Sequence, residues 1–74
     1  MNLSELKIGQ RAKVTDIIGE SAIKRRLMDM GFVPDSIVEI IRYAPMGDPV
    51  QVEIENIDIV IRKDDAKNII INKL

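Results

Sequence analysis

"VQVEIENIDIVIR", residues 50–62, alternates apolar and polar side chains through Ile54, breaks at Glu55-Asn56, and resumes with Ile57, Ile59 and Ile61. A period of two on both sides of a short polar break predicts two antiparallel strands and a hairpin. With Glu55-Asn56 as a two-residue turn, Ile54 faces Ile57, Val52 faces Ile59 and Val50 faces Ile61, all on one side. The same register sets Glu53 against Asp58, a repulsive pair, and places Glu55 where positive φ is preferred. A bulged three-residue turn is therefore the alternative. In either form Asn56 takes the left-handed conformation, which asparagine tolerates better than most residues.

Upstream, "SIVEIIRYA" at 36–44 reads as another strand, with Val38 and Ile40 on one face and Ile37, Glu39 and Ile41 on the other. Both faces carry isoleucine, so the period does not choose the inside. "QRAKVTDII" at 10–18 reads as a half-buried strand with Ala12 and Val14 inward and Arg11, Lys13 and Thr15 outward. Leu3, Leu6 and Ile8 lead into it through a turn at Gly9. Downstream, "KDDAKN" at 63–68 predicts a short helical turn capped by Asp64 or Asp65, and "IIINK" at 69–73 a final strand.

"GESAIKRRLMDMG" at 19–31 departs from the β pattern. Ile23, Leu27 and Met30 recur at i, i+4 and i+7, Ser21 can serve as N-cap, and Gly31 stands where a helix ends in a left-handed residue. An amphipathic helix of about ten residues results, too short to be stable unless its stripe rests on the sheet. Pro34 prevents helical continuation at residue 33.

Between the second and third strands lies "YAPMGDPV", residues 43–50. Pro45 presets φ for a turn, Gly47 frees the backbone, and Asp48 can hydrogen-bond local amides before Pro49 opens the hairpin strand. The stretch is first a turn. Met46 is an apolar side chain at a loop tip that the turn does not require.

Seventy-four residues make one domain, 1–74, with one small core, and no disulfide or zinc cluster can reinforce it because Cys and His are absent. Five short strands bury their apolar faces best by curling, since a flat sheet would leave long open edges. The predicted fold is mainly β: a small SH3-like barrel of about five strands. One α-helix lies between the first and second strands, and a short helical turn precedes the last.

Composition excludes more than it assigns. Ser4, Ser21 and Ser36 have no histidine partner and there is no cysteine, so no conventional triad can form and an enzyme is not expected. Without His or Cys, only carboxylates, amides, carbonyls and thioethers remain as metal ligands, a set that suits hard cations. Met28 and Met30 read as core packing rather than ligands, with Met28 partly in the core. No catalytic, cofactor or metal residue is assigned. Nucleic acid is not an expected partner: the net charge is -1 and Phe32 and Tyr43 are the two aromatics, short of a basic groove lined with stacking rings. Gly47 has no P-loop lysine beside it. The N-terminus lacks a basic region followed by an apolar run, and no segment approaches the roughly 20 apolar residues of a membrane span, so a soluble, cytoplasmic chain is expected.

The order and spacing of "LSELKIGQRAKV" (3–14), "LMDMGFVPDS" (27–36), "APMGDPV" (44–50) and "IENIDIVIRKDDAKNIII" (54–71) closely resemble the ferrous-iron transport protein A (FeoA) family across nearly the whole chain. Two positions depart from that pattern: Asp35-Ser36 and Asn56 stand where the family usually has glycine. All are turn formers, so slightly altered turns are expected and the fold is not affected. The resemblance implies a cytoplasmic SH3-like adaptor acting on the cytosolic GTP-binding part of the membrane transporter FeoB, recruited to the membrane through that partner. SH3-like domains of this kind also resemble the C-terminal domains of metal-dependent repressors, which makes a regulatory or self-association module the alternative. This chain begins with the barrel and shows no helix-turn-helix segment, which favours the adaptor.

A barrel filled by its own side chains offers partners its loops and edges. The candidate contact residues are Lys24, Arg25 and Arg26 on the helix and Pro45, Met46 and Asp48 in the loop. Arg25 or Arg26 is also a candidate arginine finger. Ile37 and Ile41 beside Tyr43 are expected to form a modest apolar patch. A monomer or weak oligomer is expected.

Overall fold

In the computed structural model, which describes residues 1–74, the stretch at 50–62 forms strands β3 (Val50–Ile54) and β4 (Ile57–Ile61). The register is the two-residue one: Ile54 pairs with Ile57, Glu53 with Asp58, Val52 with Ile59 and Val50 with Ile61. Glu55 and Asn56 both hold positive φ, +53° and +64°, as a type I′ turn requires. The three-residue bulged turn is not formed. The shared apolar face does not stay buried along its whole length: Val50, Val52, Ile54 and Ile61 are buried, Ile59 is half-buried, and Ile57 is 61% exposed. β4 is an edge strand, and at its turn end the side chains reach beyond the core.

The other strands are β1 (Arg11–Ile17), β2 (Ile37–Tyr43) and β5 (Ile69–Lys73). The sheet runs in the order β4-β3-β2-β1-β5, with every neighbouring pair antiparallel. Register shifts between Val14 and Asp16 and between Ile40 and Arg42 insert an extra residue into β1 and β2, where the sheet bends. Bending wraps one face around a core of sixteen residues, including Leu3, Leu6, Val14, Phe32, Val38, Ile40, Val52 and Ile71. This resolves β2: Val38 and Ile40 are its inner residues, and Ile37 and Ile41 are half-buried outside. Ile8, which the sequence grouped with Leu3 and Leu6, is 61% exposed.

Helix α1 (Ser21–Asp29) follows β1 as expected. Leu27 is fully buried, and Ile23 and Met30 pack against the core. The helix ends in a Schellman motif: the Phe32 amide donates to the Leu27 carbonyl (3.1 Å) and the Gly31 amide to that of Met28 (3.0 Å), with Gly31 at φ +111°. Leu27 and Phe32, both fully buried, are the C3 and C″ residues whose apolar contact accompanies this motif. Two expectations fail here. Ser21 is the first helical residue and not the cap; Glu20 is the N-cap and makes no side-chain capping bond. Met28 is 46% exposed, because it lies about 100° around the helix from Leu27, off the apolar stripe.

Asp35 holds φ +75°, and its amide donates to the Val14 carbonyl at 2.7 Å. Ser36 is buried, and its hydroxyl donates to the Gly31 carbonyl at 3.2 Å. The N-terminal 3-10 turn Leu3–Glu5 carries a capping box, with Asn2 Oδ1 accepting from the Ser4 amide and Glu5 Oε1 from the Asn2 amide. It places Leu3 and Leu6 in the core. No helix is long and apolar enough to cross a membrane.

Candidate interaction surface

Residues 44–49 form a turn closed by the Gly47 amide on the Ala44 carbonyl (2.7 Å) and the Ala44 amide on that of Pro49 (3.0 Å). Pro45 takes the second turn position, where its fixed φ is suited. The Asp48-Pro49 peptide is cis. Met46 at the tip is 92% exposed. Asp48 does not bond local amides: its Oδ1 accepts from the Lys63 amide, fifteen residues on, at 3.0 Å.

That bond explains how helix α2 (Lys63–Ala66) begins. Its N-cap is Arg62, which has no side-chain acceptor to offer, and Asp48 satisfies the first helical amide from outside. Asp64 and Asp65, expected as caps, sit inside the first turn, where carboxylates favour the helix dipole. Asp65 instead pairs with Arg26 of α1, Nη2 to Oδ1 at 2.6 Å. α2 thus ties the 44–49 loop on one side to α1 on the other.

The basic run on α1 is divided by this contact. Lys24, Arg25 and Arg26 are all exposed, and Arg26 differs from the other two in pairing with Asp65. Lys24 and Arg25 form no ion pair. They border a shallow depression lined also by Ser21, Met28 and Asp29. Met28 therefore joins the basic residues on the exposed face of the helix. Its angular offset from the Ile23, Leu27, Met30 stripe is the signal that could have placed it there.

The expected patch of Ile37 and Ile41 beside Tyr43 is not an exposed one. Both isoleucines are half-buried, and the Tyr43 hydroxyl donates to the Leu6 carbonyl, anchoring the N-terminal segment. Burial raises the Tyr43 phenol above its ordinary value of 10.0. On the outer face of the sheet, Arg11, Glu39, Glu53 and Asp58 stand in one row of cross-strand neighbours. No group of three or more His, Cys, Asp or Glu side chains is arranged to hold a metal ion.

A small bent five-stranded antiparallel sheet wrapped around one core, with helical turns packed at its rim, defines an SH3-like domain. The FeoA domain model matches residues 1–73, and the chain belongs to the FeoA family. It is 33% identical over 69 residues to an Fe(2+) transport protein A/Fe(2+) transporter FeoB fusion protein of Porphyromonas gingivalis; the match covers 93% of this chain and 8% of that much longer protein. The solution structure of a FeoA protein from Chlorobium tepidum superposes with a TM-score of 0.92 at 42% identity, covering 100% of this chain and 70% of that one. The FeoA of Stenotrophomonas maltophilia, complexed with zinc and described as an SH3 domain protein, gives 0.79 at 32% identity, covering 97% of this chain and 89% of that one. A manganese-dependent transcriptional repressor shares the fold, with a TM-score of 0.90 at 17% identity over 36% of its length. At that identity the likeness is one of fold alone.

Proposed function

We propose that this protein is a non-enzymatic, cytoplasmic accessory of ferrous-iron transport that acts on the cytosolic GTP-binding part of FeoB. The observation that carries the reading is the Porphyromonas gingivalis fusion, in which a segment similar to 93% of this chain and a FeoB transporter are one polypeptide. Covalent fusion makes an encounter intramolecular and raises its effective concentration, an arrangement that suits two parts working together. The contact surface is Lys24, Arg25 and Met28 on α1 together with Pro45 and Met46 at the loop tip, linked through α2. Exposed methionines adapt to a partner's apolar surface, and the cations steer approach to an acidic one. Arg26 and Asp48 support this surface by holding α2 rather than by touching the partner.

Titration calorimetry of this chain with the isolated cytosolic part of FeoB tests the reading. The variant Lys24→Glu/Arg25→Glu should bind at least about tenfold more weakly while keeping its circular dichroism spectrum and Tm. Met46→Ala should weaken binding without altering the salt dependence. Absence of binding by the wild-type chain, or equal affinity of the folded charge-reversed variant, would refute the assignment.

A further inference from the structure

The two edges of the sheet are finished differently. Along β5, Asn2 bridges Ile70 and the Ile71 amide donates to the Met1 carbonyl at 3.0 Å, so the N-terminal segment covers that edge. β4 is the last strand on the other side, and no backbone hydrogen bond outside its ladder with β3 involves residues 57–61. The two-residue turn closes on Ile54 and Ile57, so the backbone groups of Ile57, Ile59 and Ile61 point toward β3 and those of Asp58 and Val60 point outward. Arg62 remains extended at φ -75° and ψ 150°, so its amide carries the outward alternation one step further, while its carbonyl already accepts from the Ala66 amide at 3.1 Å. Val60 is 57% exposed, and β4 contains neither lysine nor proline to discourage pairing.

Charge on the outer face says which strand fits. Glu39, Glu53 and Asp58 are consecutive cross-strand neighbours, a like-charge row. Arg11 closes one end, 3.9 Å from Glu39, while the row stops at the β4 edge without a cation. Arg62, two strand positions beyond Val60 on that edge, is exposed and forms no ion pair.

We propose that β4 pairs antiparallel with β4 of a second copy about a two-fold axis through Val60. In this register Val60 meets its own counterpart, and Asp58 of each copy lies opposite Arg62 of the other, twice by symmetry. Each acidic row then receives from the second copy the cation its open end lacks. An axis one residue earlier would set Asp58 against Val60, and an axis at Asp58 would oppose two carboxylates, so electrostatics select the Val60 register. Two five-residue strands bury less than the roughly 1,200 Å² of a stable complex, which makes the dimer weak and concentration-dependent.

Sedimentation of the full chain at low salt, over about a hundred-fold dilution, should show monomers at the dilute end and dimers at the concentrated end. Asp58→Arg and Arg62→Asp should each weaken association about tenfold, and the combined swap should restore it to within a few-fold. Val60→Pro deletes only an outward amide and should abolish dimers; if that variant fails to fold by circular dichroism, the charge reversals decide. A wild-type chain that is monomeric throughout overturns the proposal, as does a dimer indifferent to the substitutions or a folded swap variant that stays monomeric. Val60 amide protection that arises only with FeoB, and not with self-concentration, assigns the edge to another strand and also overturns it.

Discussion

Asp48→Ala would remove the acceptor that holds the Lys63 amide at 3.0 Å and leave the first helical N–H of α2 without a protein partner. Loss of a helix-capping acceptor costs about 0.5–2 kcal/mol, and because this one is exposed, water recovers part of it, so about 1 kcal/mol is expected. For a 74-residue chain that lowers Tm by about 4–8 °C. Asp48→Asn keeps an oxygen in the same position and gives up only charge, worth about 0.3 kcal/mol near so short a helix. Thermal melts followed by circular dichroism should therefore rank the wild type slightly above Asn and both clearly above Ala. Equal losses in Asn and Ala would mean that charge, not the hydrogen bond, is what Asp48 supplies. An Ala variant with unchanged Tm but lost FeoB binding would make Asp48 a contact residue and refute its assignment as the external cap of α2.

Glu55→Gly should raise stability by about 0.5 kcal/mol: relief of a left-handed non-glycine residue, about 1–2 kcal/mol, exceeds the added unfolded-state entropy of glycine, about 0.5–1 kcal/mol. A lower midpoint in urea would show that the Glu55 side chain contributes more than its backbone strain costs. The Arg26–Asp65 pair joins α1 to α2 across a partly exposed contact, so a double-mutant cycle with alanine should return a coupling of about 0.5 kcal/mol, shrinking in high salt. A coupling of zero would leave α2 unattached to α1 in solution. Tyr43 has its phenol raised in the folded state, so the stability this contributes is complete below its ordinary value of 10.0 and is lost as pH rises through the raised value. Stability measured by urea against pH should fall above 10.0 for the wild type and stay flatter for Tyr43→Phe; parallel curves would contradict the burial argument.

The exposed apolar side chains explain why the proposed interaction surface is harder to read in the sequence than the fold. Met46 could be recognised because it sits in a turn with no structural use for it. Met28 was hidden among helix residues, and Ile57 and Val60 belong to a strand whose alternation looks the same whether or not a neighbour covers its edge. The capping box of Asn2 and Glu5 is legible in the order of residues, a side-chain acceptor followed three positions later by a glutamate.

By itself the sequence determined what depends on residues a few positions apart. The period of two, the paired turn residues, the helix stripe and the Gly31 stop settled the elements and their order and narrowed the hairpin to two turn forms, since backbone preference and alternation act locally. Only the tertiary structure decided that Val38 and Ile40 face inward, that Asp48 caps a helix fifteen residues away, that Asp65 restrains Arg26, and that one edge is covered while the other is open. Those outcomes depend on where the bent sheet brings distant segments together. A carboxylate or an isoleucine has the same local pattern in any of its destinations, and its partner is chosen by packing.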